Sequence, residues 1–152
     1  MKSIFSILFV VLAVGLGLSG CGNDVDNFLY RQDGRWETTV YSRATFEDGV
    51  MTDEIDVFAY PFTVFNQDGS GERQDGNGDA IVDLQLSWSF DEDANTVTIT
   101  ETIVDSSTDP VTLTWEVLES ERDRQRWVYT ETATTGTGDL RYELTWELRR
   151  AE

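Results

Sequence analysis

Leu84-Gln85-Leu86-Ser87-Trp88-Ser89-Phe90, then Asp91-Glu92-Asp93-Ala94-Asn95, then Thr96-Val97-Thr98-Ile99: apolar and polar residues alternate, a polar turn intervenes, and the alternation resumes. A strict period of two places every second side chain on one face of an extended strand. One apolar face and one polar face describe antiparallel strands half-buried over a common core. The enrichment in Val, Ile, Thr, Trp and Phe suits that geometry.

The same period extends outward in both directions. Trp36, Thr38 and Val40 share a face, with Glu37, Thr39 and Tyr41 on the other. Val111, Leu113, Trp115 and Val117 alternate with Thr112, Thr114 and Glu116. Tyr142, Leu144, Trp146 and Leu148 alternate with Arg141, Glu143, Thr145 and Glu147. The breaks carry turn chemistry at Asp48-Gly49, Asp68-Gly69, Asp75-Gly76-Asn77-Gly78, Ser106 to Pro110, Glu121 to Arg124 and Gly136 to Asp139. Strands are expected over 35–46, 50–58, 60–66, 70–75, 79–90, 96–105, 111–119, 125–134 and 140–149. Strands joined by short turns form a meander. The reading is an all-β, antiparallel up-and-down barrel of about eight to nine strands, because closure removes exposed edges. A two-sheet sandwich is the alternative, but the chain lacks the long crossovers of Greek-key wiring.

Ahead of the barrel stands a different kind of segment. Met1-Lys2 is charged, and Ile4 to Leu18 contains no charged residue and is mostly apolar. That is the order of a secretory signal, too short for a comfortable membrane span. The run ends in Leu18-Ser19-Gly20-Cys21, which resembles the lipobox of bacterial lipoproteins. The resemblance implies cleavage before Cys21 and acylation of its thiol, with residues 1–20 as signal peptide. Residues 21–33 read as a tether and 34–150 as the barrel domain. Phe28, Leu29 and Tyr30 stand out in the tether as residues that either close one end of the barrel or form a short helical turn.

Charge and inventory exclude much. The 152 residues include 29 acids, 11 bases and no His, a formal charge of −18. Lys2 is the sole lysine, so loss of residues 1–20 leaves ten Arg against the 29 acids, or −19. Such a surface repels phosphate, which excludes a nucleic-acid binder. It also repels anionic headgroups, so the lipid on Cys21 is the membrane contact. Without His or Lys the mature chain has no base for Ser or Cys nucleophiles and no Schiff-base amine, and it reads as a non-enzyme.

Several motifs occur in a familiar order. Gly34-Arg35-Trp36 opens the first strand, and Phe65-Asn66-Gln67-Asp68-Gly69-Ser70-Gly71 closes a hairpin. Leu86 to Phe90 precedes the turn to Thr96, and Trp146-Glu147-Leu148-Arg149-Arg150 ends the last strand. The order resembles the bacterial lipocalin-like lipoproteins over most of residues 34–150. That resemblance implies a barrel in which Arg149 or Arg150 packs over Trp36. It implies a chain anchored in the bacterial cell envelope, at the outer membrane, that binds a small apolar ligand or an envelope component. The alternative is a structural or protein-interaction lipoprotein whose barrel is filled.

Three sets of side chains remain as site candidates. Glu101 continues the parity of Val97 and Ile99, and Glu131 that of Trp127 and Tyr129. Two inward acids suit acid–base work on a sugar, or else an ion pair with an Arg such as Arg43 or Arg141. Asp75, Asn77, Asp79 and Asp83 space their oxygens as a calcium loop does, or form a solvated hairpin turn. Trp36, Phe58, Phe62, Trp88, Trp115, Trp127, Tyr142 and Trp146 fill the barrel or line a ligand pocket.

Overall fold

The computed structural model describes residues 25–104, 106–135 and 138–152. The expected signal peptide, Cys21 and the start of the tether lie outside the described residues. A short helix α1 (Val25–Tyr30) and a 3₁₀ turn over Gln32–Gly34 lead into nine strands. These are β1 (Arg35–Glu47), β2 (Val50–Asp56), β3 (Phe62–Phe65), β4 (Ser70–Gln74), β5 (Leu84–Asp91), β6 (Thr96–Ile103), β7 (Val111–Ser120), β8 (Arg124–Thr135) and β9 (Gly138–Arg150).

Every strand pair is antiparallel, and β1 pairs with β9 from Trp36↔Arg150 to Glu47↔Leu140. That seam closes the sheet into an up-and-down barrel of eight strands plus one. The extra strand has a simple origin. On its other edge β1 pairs with β3 through Trp36↔Thr63 and with β2 through Arg43↔Ile55. Thus β2 and β3 run end to end along one edge, parted by residues 57–61 around Pro61. Pro lacks the N–H that a continuous ladder requires. The strand expected over 79–90 is shorter because a turn interrupts it. Ile81 and Leu84 close a turn, Leu84 N–H donating to Ile81 O at 3.1 Å, and only the bridge Gln74↔Ala80 precedes β5.

The wall is uneven in height. Rungs between β7 and β8 run from Glu116↔Val128 to Ser120↔Gln125, whereas β8 pairs with β9 as far as Thr135↔Gly138. The late part of β8, the early part of β9, the late part of β1 and β2 therefore rise above the rest. One end of the barrel is closed and the other opens beneath this taller wall.

The closed end is packed. Trp36, Phe65, Val97, Trp127 and Leu148 are fully buried. Helix α1 plugs the base with Val25 and Leu29, also fully buried and one turn apart on one face. The packed chain thus starts before Gly34, and Phe28 to Tyr30 both form a helical turn and close an end. Trp36 donates its indole N–H to Leu29 O at 2.9 Å, which satisfies the ring's polar edge. Gly34 permits this turn: it sits at φ +63°, and a Cβ there would overlap the carbonyl oxygen of Phe65.

Of the two terminal arginines, Arg150 covers Trp36, its guanidinium carbon 3.9 Å from the ring centroid. Its N–H groups donate to the carbonyls of Arg31, at 2.8 Å, and Phe28. Burial, and Arg122 nearby, push its pKa below the ordinary guanidinium value. Arg149 instead pairs with Glu37 on the outside at 2.6 Å.

This arrangement predicts a contrast. Trp36→Ala should lose about 3–5 kcal/mol in urea unfolding, the usual range for a truncated core aromatic. Arg150→Gln should lower the unfolding midpoint and Arg149→Gln should leave it in place. A midpoint that responds equally to both arginines would place the lock elsewhere.

Candidate functional site

Above the packed end lies a cavity of about 190 Å³, at the base of the taller wall. Tyr41 of β1, Arg73 of β4, Ile99 and Glu101 of β6, Leu113 and Trp115 of β7, and Trp146 of β9 line it, with residues 58–60 at the mouth. A broader groove of about 560 Å³ lies outside the closed end around Glu37, Arg149 and Arg150. The cavity is the better candidate, because it is lined from within the barrel by six strands or strand linkers and has a mostly apolar wall.

Tyr41 reaches the cavity through a bulge. The register of β1 against β9 shifts between Thr38 and Val40, so Thr38↔Leu148 is followed by Val40↔Glu147 and Tyr41↔Trp146. The extra residue reverses the parity of the strand. Tyr41, expected on the polar face with Glu37 and Thr39, therefore turns inward. Its ring stands 5.9 Å from Trp146 and 6.1 Å from Trp115. Trp115 and Trp146 are themselves 5.6 Å apart, and Tyr129 lies 6.1 Å from Trp115. These spacings suit favourable tilted and edge-to-face contacts. Burial pushes the Tyr41 phenol pKa upward, against the pull of Arg73.

The polar part of the cavity is an ion pair. Glu101 points inward as its parity requires, and its partner is Arg73 rather than Arg43 or Arg141. Arg73 Nε donates to Glu101 Oε1 at 2.8 Å, and Nη2 donates to the same oxygen. Nη1 donates to Oγ1 of fully buried Thr63. The guanidinium carbon also lies 4.5 Å from the Trp146 ring centroid. Arg73 is only 9% exposed, so these contacts replace the water it gives up. Glu101 Oε2 makes no hydrogen bond among the described residues. Nor does the indole N–H of Trp115, while Trp36, Trp88, Trp127 and Trp146 all donate theirs within the protein. The cavity thus offers Glu101 Oε2, the Trp115 indole N–H and the Tyr41 hydroxyl, which also makes no hydrogen bond among the described residues, on an aromatic and aliphatic wall.

Apart from Phe58 at the mouth, the other candidates are not brought to this site. Glu131 is exposed on β8, so the two acids expected to face each other are separated. Phe58, read as core or as pocket lining, is 80% exposed at the mouth of the cavity and edges against Tyr60 at 5.5 Å. Phe62 lies on the outside of β3 beneath Arg35, 3.9 Å away, because Thr63 and Phe65 take the inward positions. Tyr142 is half-buried near Arg43. In the Asp-rich loop, Asp75 Oδ1 accepts the backbone N–H groups of Asn77 and Asp79 at 2.8 and 3.0 Å, which holds its carboxyl below the usual range. Asn77 Nδ2 donates to Asp75 Oδ2 at 3.3 Å, while Asp83 belongs to the next turn. Among the described residues, no three His, Cys, Asp or Glu side chains gather where they could hold a metal ion. No helix among them is long and apolar enough to cross a membrane.

Arg73 was the residue hidden from sequence reasoning. Strand β4 carries Gly71 and Arg73 at its inward positions, so it lacks the apolar alternation that marks the other strands. No protein-family model matches the chain, and no curated protein matches it.

Two measurements follow from this geometry. Glu101→Ala strands a buried guanidinium and should destabilise by about 3 kcal/mol, more than the double change Arg73→Leu with Glu101→Leu. Additive or smaller losses in urea unfolding would show that the pair is not coupled. For Tyr41, the unfolded chain ionises at the ordinary tyrosine value and the folded chain later. Its contribution to stability is complete below that value and fades as pH rises through the folded pKa. Tyr41→Phe should remove the late phenolate step from an alkaline absorbance titration.

Proposed function

We propose that this chain is a lipid-anchored protein of a bacterial cell envelope, whose lipocalin-like barrel holds a small, largely apolar molecule and catalyses nothing. One observation carries the binding reading. The barrel is packed solid at one end and keeps an aromatic-walled cavity at the other. A chain that needed only a stable core had side chains available to fill that space, since a void forfeits dispersion contacts. The unused donor of Trp115 and acceptor of Glu101 fit a ligand with a polar group on an apolar body.

The anchor rests on the sequence, on Leu18-Ser19-Gly20-Cys21 after its apolar run. The absence of catalysis rests on inventory. There is no His, Lys2 is the sole lysine, and Glu101 is bound to Arg73 rather than facing a second acid. The orientation of Trp36 under Arg150 agrees with the lipocalin-like resemblance. A protein-interaction role draws on β2, whose seven residues are all exposed and whose outer edge has no strand beside it among the described residues.

The anchor is tested by fractionation. Cys21→Ala should move the protein from the membrane to the soluble fraction, and unchanged membrane association would refute the lipid. The ligand is tested by a mass spectrum of the protein extracted gently from its own membranes. A bound small molecule that leaves on denaturation is expected. A stoichiometric protein with no small molecule would favour the interaction role instead.

A further inference from the structure

Next to the aromatic cavity runs a groove of about 290 Å³, and the two share Tyr60, Glu101 and Val111. Glu101 therefore stands at their junction. The groove adds Asp83 and Asp109 to its wall and no basic residue. Its remaining lining is mostly apolar, from Ile81, Leu84 and Ile103.

The charges of the two spaces differ. In the cavity, the charge of Arg73 is committed. Its Nε and Nη2 serve Glu101, its Nη1 serves Thr63, and its face lies against Trp146. In the groove, Asp83 and Asp109 are exposed, and Glu101 presents the oxygen that Arg73 leaves unused. An anion entering by this route meets the exposed carboxylates of Asp83 and Asp109 and no free cation, since the charges of Arg73 and Glu101 offset each other. A cation is attracted there, and the −18 charge of the whole chain adds a field of the same sign. A cationic head does not fit the deep end, where Arg73 already takes Glu101 and lies against Trp146. An apolar or aromatic body does, between Trp115, Trp146 and Leu113.

Taking the cavity as a ligand site, as proposed above, we infer that its ligand is an amphipathic organic cation. The apolar body occupies the aromatic cavity, and an ammonium or guanidinium head lies in the groove against Glu101, Asp83 and Asp109. Ligand entry is then steered by charge and held by apolar contact.

The test uses three small probes with one ring and different heads: benzyltrimethylammonium, benzyl alcohol and phenylacetate. The full chain in neutral detergent is titrated by NMR, following the indole N–H of Trp115, which Trp115→Phe identifies. Benzyltrimethylammonium should bind at least about tenfold tighter than benzyl alcohol, and phenylacetate should bind most weakly. Asp83→Asn with Asp109→Asn should reduce that preference to about threefold or less and leave benzyl alcohol unchanged. Glu92→Gln with Asp93→Asn removes the same charge from the exposed turn between β5 and β6, and should leave the preference intact. Equal binding of alcohol and cation would overturn the cation assignment while leaving the cavity as a ligand site. Equal weakening by both double variants would overturn it too, since diffuse charge then explains the preference. If no probe shifts Trp115, the cavity is not a binding site and both readings fall.

Discussion

The seam between β1 and β9 is the constraint on which the rest of the structure depends. Neighbouring strands of an open sheet leave two edges unpaired, and both must be covered or closed. Here the first and last strands pair along almost their full length. The stack of Arg150 on Trp36 fixes where that seam begins. Trp36 in turn holds α1 through its indole N–H, and α1 seals the base of the barrel with Val25 and Leu29. One buried aromatic thus joins the first strand, the last strand and the N-terminal helix.

From that fixed end the barrel changes character along its axis. Phe65 contacts Trp88 and Trp127, and Trp127 contacts Trp146, all with ring centroids within 6 Å. This chain of rings fills the lower barrel. Trp146 then ends the packed region and begins the cavity. The bulge at Thr38–Val40 turns Tyr41 toward it, and the short pairing between β7 and β8 leaves the upper end open. A cavity in this position arises from two departures from regularity in an otherwise regular meander.

Much of this was legible in the sequence. The period of two in Leu84–Phe90 matches the buried positions of β5, and in β9 it matches at Trp146 and Leu148. Glu101 was legible as an inward acid for the same reason. What alternation cannot convey is where it breaks. A bulge adds one residue without any compositional mark, so Tyr41 was assigned to the wrong face. Phe58 was read as core or as pocket lining; it lies in the break between β2 and β3, outside the core and at the cavity mouth. Arg73 was missed because a short strand with Gly and Arg at its inward positions carries no apolar pattern. Its burial is defined by Glu101, Thr63 and Trp146, which come from three other strands, and by Tyr60 of the β2–β3 link.

The site accordingly rests on long-range contacts and the fold on local pattern. The central claim is that the open end of the barrel is kept clear for a ligand. It is tested most directly by filling the space with Leu113→Trp and comparing the variant with wild type, produced in the same host and purified alike, by native mass spectrometry and thermal unfolding together. Expected is a small molecule on the wild type that is missing from the variant, with the variant unfolding at an equal or higher temperature once ligand is removed from both. The same bound mass on both proteins, or none on either, would contradict it.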